Sequence, residues 1–154
     1  MRSLNCLFLF GLAIPLSGCE KYALDRKMES LCKKDGGIYI YEYAPLPEKR
    51  FDPNGKVIPY WQKPPKFEWM YGPEYRLTWN TSTIDDGDPV LGEGRLVRDE
   101  IKLIRTSDEK EIAISIKYIR TGGDFIYYSH FSSKICPENK KTSIESAFIK
   151  GGQK

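Results

Sequence analysis

The chain has 154 residues, of which 40% are hydrophobic, 13% aromatic and 29% charged, with a formal net charge of +3. This composition excludes wholesale disorder, and the charge is far too small for the basic footprint of a nucleic-acid reader. The length suits one domain with its own core, able to bury roughly two thirds of the surface that the unfolded chain exposes.

The chain opens with one positive residue, Arg2, followed by a mostly apolar run over residues 4–16. That is the layout of a secretory signal, and it is shorter than the ~20 residues a spanning helix needs. The run ends in Leu16-Ser17-Gly18-Cys19, which resembles the lipobox of a bacterial prolipoprotein. The resemblance implies cleavage before Cys19 and lipidation of its thiol, so residues 1–18 are a signal peptide and residues 19–154 a single globular domain. Gly18 also suits an ordinary signal peptidase, whereas Leu16 does not, and secretion without lipid or an uncleaved anchor are the alternatives. No Arg-Arg pair is present, which favours the general secretory route. Glu20 follows the lipid site, and by likeness to the enterobacterial sorting rule it points to the outer membrane, facing the periplasm. Three acyl chains would hold the protein almost permanently, since one myristoyl chain alone binds only marginally.

Processing at that site removes only one charged residue, Arg2, and lowers the net charge from +3 to +2. It also simplifies the cysteines. Cys6 leaves with the leader and Cys19 carries lipid, so Cys32 and Cys136 are left in an oxidising compartment and a disulfide between them is expected. A redox or metal role is the alternative, without a C-x-x-C or a histidine cluster to support it.

Residues 21–34 read as a helix. Leu24, Met28, Leu31 and Cys32 fall on one stripe, while Asp25, Arg26, Glu29 and Lys33 are expected to face away. Gly36-Gly37 supplies a left-handed stop. The period then changes to two, with Ile38, Ile40 and Glu42 alternating with Tyr39, Tyr41 and Tyr43, a strand that Pro45 and Pro47 should end. Residues 46–73 are rich in proline and contain the turn Asp52-Pro53-Asn54-Gly55. A long irregular excursion is expected there, with at most a short strand over residues 57–61.

Regular alternation resumes over residues 74–83, 95–105 and 111–120. In the last of these Ile112, Ile114, Ile116 and Tyr118 oppose Ala113, Ser115 and Lys117. Residues 106–110 join the last two runs as a polar turn, hence an antiparallel hairpin, and residues 85–94 form a loop. Residues 142–150 could be a strand or a short helix. The fold class is therefore α+β, an N-terminal helix packed on a four- to five-stranded antiparallel sheet with one disulfide.

Four stretches carry a wider resemblance. Leu31-Cys32-Lys33-Lys34-Asp35-Gly36-Gly37-Ile38-Tyr39-Ile40-Tyr41-Glu42, Gly72-Pro73-Glu74-Tyr75, Tyr118-Ile119-Arg120-Thr121-Gly122-Gly123-Asp124 and His130-Phe131-Ser132-Ser133-Lys134-Ile135-Cys136-Pro137 are similar to a group of small proteobacterial lipoproteins without an assigned activity. The resemblance covers most of the mature chain and includes both cysteines. It implies an architecture and an address, and no reaction.

Chemistry-bearing motifs are sparse. His130 is the only histidine, so sites with two or three histidine ligands are excluded. Neither G-x-S-x-G nor a phosphate loop occurs. Gly122-Gly123-Asp124 reads better as a turn needing positive φ than as a phosphate cradle. Asp85-Asp86-Gly87-Asp88 lacks the alternation of a calcium loop and reads as a solvated turn. No catalytic residue, metal or cofactor is expected. The aromatic residues either pack the long loop onto the sheet, which is the favoured account, or serve recognition, in which case Tyr39, Tyr41, Tyr43, Tyr60, Trp61, Trp69 and Tyr71 form the candidate binding surface, with Trp61 and Trp69 expected to be more exposed than Trp79. These readings favour a non-catalytic, membrane-anchored envelope lipoprotein with a structural or protein-interaction role and an envelope protein as partner. The alternative is a peptidoglycan-binding or weakly hydrolytic envelope module.

Overall fold

A computed structural model describes residues 19–60, 67–124, 131–138 and 143–151. The leader of residues 1–18, Trp61 and His130 lie outside these residues. One helix, α1 (Cys19–Asp35), is followed by β1 (Gly37–Ile40), β2 (Ala44–Leu46), β3 (Tyr75–Asp86), β4 (Gly94–Arg105), β5 (Lys110–Gly122), β6 (Ser133–Cys136) and β7 (Phe148–Lys150). The fold is α+β, with the helix packed on an antiparallel five-stranded sheet in the order β1-β5-β4-β3, β6 also pairing with β5.

The chain forms two compact units, each taking a segment of the three long strands. The first holds the described residues up to Lys34, with Ser82–Arg98 and the described part of Tyr118–Cys136. Its core is built by α1, whose Leu24, Met28 and Cys32 are buried at spacings of four residues, together with Leu96 and Tyr118. The Cys32–Cys136 disulfide ties the helix to β6, with Cα atoms 6.0 Å apart. Strand β6 pairs antiparallel with the far part of β5, Tyr118 opposite Cys136.

Asp25 does not face away from the sheet. Its carboxylate accepts a hydrogen bond from Arg120 Nε at 2.9 Å, and the Arg120 side chain is only 2% exposed. The guanidinium also donates to the carbonyls of Gly122 (2.9 Å) and Ser132 (3.0 Å) and to the Ser132 hydroxyl. A buried charge is tolerable only when it is paired and hydrogen-bonded, and Arg120 is paired with Asp25 through Nε and bonded to the glycine turn and Ser132 through Nη1.

The second unit comprises Asp35–Thr81, Asp99–Lys117 and the described residues after Cys136. Strand β1 pairs antiparallel with β5, Ile38 opposite Ser115. The positive φ expected after the helix falls on Gly37 (138°). Alternation continues past β1, with Tyr39, Tyr41 and Tyr43 exposed and Ala44 and Leu46 buried. Pro45 is not what ends the first strand, which stops at Ile40 before bends at residues 41 and 42. Pro45 lies inside β2, which pairs parallel with β7, Pro45 opposite Ile149. A two-stranded ladder is all edge, so the missing N–H of proline costs it little.

Beyond Leu46, the last residue of β2, the irregular excursion holds no strand among its described residues, only 3₁₀ turns at Glu48–Arg50 and Phe67–Trp69 and an isolated bridge between Phe51 and Val57. It closes over the expected turn, where the Asp52 carboxylate accepts from the N–H groups of Asn54 and Lys56 and Gly55 takes φ 78°. Residues 143–150 satisfy both readings, a 3₁₀ turn at Ile144–Ala147 leading directly into β7. The core gathers Leu46, Val57, Tyr71, Tyr75, Leu77, Leu103, Ile112, Ala113 and Phe148. Here β5 is buried on both faces, since Ala113 and Ser115 are as inaccessible as Ile112 and Ile116.

Candidate functional site

The second unit carries a concave groove of about 320 Å³, lined by Pro45, Leu46, Pro47, Lys49, Arg50, Tyr60, Pro73, Glu74 and Tyr75. Three separate stretches build it. Strand β2 and the turn after it supply Pro45 to Arg50, and Pro73 to Tyr75 lead into β3. Tyr60 is set by its own backbone N–H, which donates to the Met70 carbonyl at 2.6 Å.

Arg50 anchors the polar side of the groove. Its Nε and one terminal nitrogen donate to the Ile58 carbonyl at 3.3 and 3.1 Å, which holds the guanidinium 5.2 Å from the centroid of the Tyr60 ring, within cation–π range. Gly72, at φ 104°, is required beside it. A Cβ there would lie 2.8 Å from Glu74 Oε2 and 3.4 Å from Arg50 Nη1, so the missing side chain leaves room for the carboxylate and the guanidinium. The Tyr75 hydroxyl donates to the Pro45 carbonyl at 3.4 Å. Burial pushes its pKa up, with the Arg105 charge opposing and the Glu74 charge adding to that rise. Tyr75 therefore stays a neutral donor at ordinary pH.

The structure sorts the aromatic candidates into three groups. Tyr60 is exposed and lines the groove. Tyr39, Tyr41 and Tyr43 are exposed along one face of the run through β1. Tyr71 is not a surface residue. It is 3% exposed, its ring tilted against that of Phe148 with centroids 4.6 Å apart, and its hydroxyl donates to Glu145 at 3.4 Å; burial holds its pKa well above the usual phenol range. The order of the tryptophans is also reversed among the described residues. Trp69 is half-buried, whereas Trp79 is 58% exposed on edge strand β3, its ring 5.6 Å from that of Phe67. Trp61 lies outside the described residues. The groove walls Pro45, Pro47, Arg50, Pro73 and Glu74 carried no local sequence signal as a set, because pairing of β2 with β7 and the Gly72 turn are what bring them to Tyr60.

Gly122-Gly123-Asp124 is a turn with φ 77° and 78° at its two glycines. It receives the start of α1 rather than a phosphate. The Lys21 N–H, one of the unpaired donors of the first helical turn, donates to the Gly123 carbonyl at 3.0 Å, and Lys21 Nζ pairs with Asp124 at 2.9 Å. Burial raises the Asp124 carboxyl, but hydrogen bonding with Ser132 and the Lys21 charge outweigh it and hold the group below the ordinary carboxylate range. Glu20 fastens the same end by accepting the Gly94 N–H at 3.0 Å. The aspartates of the 85–88 turn are committed to protein groups: Asp85 pairs with Lys27, Asp86 with Arg95, and Asp88 caps the Val90 N–H. Among the described residues no group of three or more histidine, cysteine or acidic side chains is placed to hold a metal. None of the described helices is long and apolar enough to cross a membrane.

The chain matches no protein-family model, no curated protein and no solved structure.

Proposed function

We propose that this protein is a non-catalytic envelope lipoprotein, held by lipid on Cys19 at the periplasmic face of the outer membrane, that recognises an extended peptide segment of an envelope protein through the proline-walled groove. The observation that supports this reading is the groove itself. Pro45, Pro47 and Pro73 offer rigid apolar walls, Tyr60 offers a ring face, and Lys49, Arg50 and Glu74 place both signs of charge at the rim. Prolines and aromatic rings lose little conformational freedom on binding, and mixed rim charges select register along an extended chain. Lipidation supplies the address, so the domain needs only modest affinity for a partner confined to the same surface.

A second reading keeps one specific support. An exposed tyrosine ring beside an arginine and a glutamate is also a platform for a sugar, which would make the protein a peptidoglycan-binding or weakly hydrolytic module. One experiment separates the two. A photo-crosslinking residue replacing Lys49 should capture one defined envelope protein in cells, and the Arg50→Ala/Tyr60→Ala double variant should lower that yield on the order of tenfold, the worth of about 1.4 kcal/mol. Failure to capture a partner, together with retention of the soluble domain from Glu20 onward on purified sacculi, would replace the peptide reading with the glycan one.

A further inference from the structure

The most exposed large aliphatic side chains among the described residues are neighbours, Val90 at 70% and Leu91 at 74%. They sit on a single 3₁₀ turn, Pro89–Leu91, between β3 and β4. Isolated exposed apolar residues need no explanation, but this pair stands on a turn whose backbone has been prepared for loss of water. The Val90 N–H donates to Asp88 Oδ1 at 2.9 Å, the Leu91 N–H to the Asp88 carbonyl at 3.0 Å, and the Gly92 N–H to the Pro89 carbonyl at 3.2 Å. Glu93 completes the turn by accepting the Asp88 N–H at 2.9 Å, and Gly92 closes it at φ 87°. Every backbone donor at the apolar tip is thus satisfied within the turn, which lowers the cost of taking it out of water.

The turn is also seated beside the start of the helix. Pro89 is buried against Gly122, where a Cβ would lie 3.0 Å from Pro89 Cβ and 2.4 Å from the Glu93 carbonyl oxygen. The next residue, Gly123, accepts the Lys21 N–H, and Gly94, just past the turn, donates to Glu20. Helix α1 begins at Cys19, so no linker separates the lipid site from these contacts. Tyr22, 67% exposed, lies in the same first turn of the helix and is of the residue type favoured at a membrane interface.

We propose that Pro89–Leu91 is a second membrane contact, in which Val90 and Leu91 enter the headgroup and outer acyl region of the bilayer that holds Cys19. The inference rests on the reading of Cys19 as the lipid site. Its chemistry selects the lipid. Asp88 and Glu93, whose carboxylates accept backbone N–H groups of the turn, flank the apolar pair with negative charge, which favours a zwitterionic surface over an anionic one. Two aliphatic side chains add little to anchoring by three acyl chains. Their effect is to remove rotation about the lipid, so that the domain meets the membrane in one orientation.

The test uses the full lipidated protein with Leu91→Cys carrying an environment-sensitive fluorophore, in phosphatidylcholine–phosphatidylethanolamine vesicles containing shallow spin-labelled quencher lipids. A Ser30→Cys label on an exposed part of α1, ~16 Å along the helix from Cys19, serves as the reference. A blue-shifted label at 91, quenched severalfold more than the label at 30 and less so when the vesicles are made anionic, is the expected result. Equal quenching at the two positions in protein that still floats with the vesicles would overturn the proposal and leave the anchor intact. Protein that fails to float, as the Cys19→Ala form should, would instead remove the anchor reading and this inference with it.

Discussion

Arg120 shows how one side chain can hold an element in place. It joins three pieces of chain, the helix through Asp25, the glycine turn through the Gly122 carbonyl and the approach to β6 through Ser132. Removing the carboxylate leaves a guanidinium that is 2% exposed with only neutral acceptors. Asp25→Ala should therefore cost about 3 kcal/mol in a urea unfolding titration, near the lower end for breaking a buried pair because the two carbonyls remain. A loss below about 1 kcal/mol would mean that the pair behaves as a surface contact. The position was legible in part. Ile112, Ile114, Ile116, Tyr118 and Arg120 share one parity along β5, so strict alternation sends Arg120 inward even though its charge argues otherwise. Asp25, next to buried Leu24 and three residues before Met28, lies at the margin of the apolar stripe, where composition alone assigns it to solvent. Trp79 differs from its expected burial for a related reason, since parity along a strand says which side a ring is on while another element decides whether that side is covered; Tyr71 lies in the irregular excursion, where no local period shows that Phe148 will cover it.

At the scale of elements, the long pieces announce themselves and the short ones do not. Helix α1 and strands β3, β4 and β5 each repeat their period often enough to be read directly, and their observed bounds extend the sequence-based ones by one to three residues at most ends. Strands β2, β6 and β7 have three or four residues each and exist because a partner far along the chain offers its edge, Phe148 for Ala44 and Tyr118 for Cys136. No window of local sequence contains that information. The groove shares the same limit, because one of its walls is β2. Glycines separate conformational need from close approach, and two of them allow a matched comparison. Gly55 and Gly122 have nearly equal φ, 78° and 77°, but a Cβ on Gly55 meets nothing within 4 Å while one on Gly122 meets the Glu93 carbonyl oxygen at 2.4 Å. Gly55→Ala should cost about 1 kcal/mol through its backbone alone. Gly122→Ala should cost roughly 2 kcal/mol more in thermal unfolding, because the Pro89 turn must also move. Equal losses would show that the packing of that turn contributes nothing to stability.

For the molecule as a whole, the disulfide closes a loop between residues 104 positions apart. On the chain-entropy model a loop of that length is worth up to about 4 to 5 kcal/mol, a large share of what a small domain has. Cys136→Ser should lower the melting temperature markedly and leave one thiol that reacts with a maleimide once the protein is denatured. An unchanged melting temperature would show that the non-covalent contacts of α1 already suffice.

The placement of the pairing partners also sets an order of events during synthesis. The first unit closes through Cys136 and the second through Phe148, whose ring packs against Tyr71 and Tyr75, so each waits for residues made after nearly everything they enclose. Contacts this distant in sequence form slowly, and a chain emerging from its N-terminus lacks them until late. The polypeptide therefore stays loose until its last residues are available, a property that suits the export proposed above. A truncation anywhere before residue 136 would remove both of the closures that make the chain a folded protein.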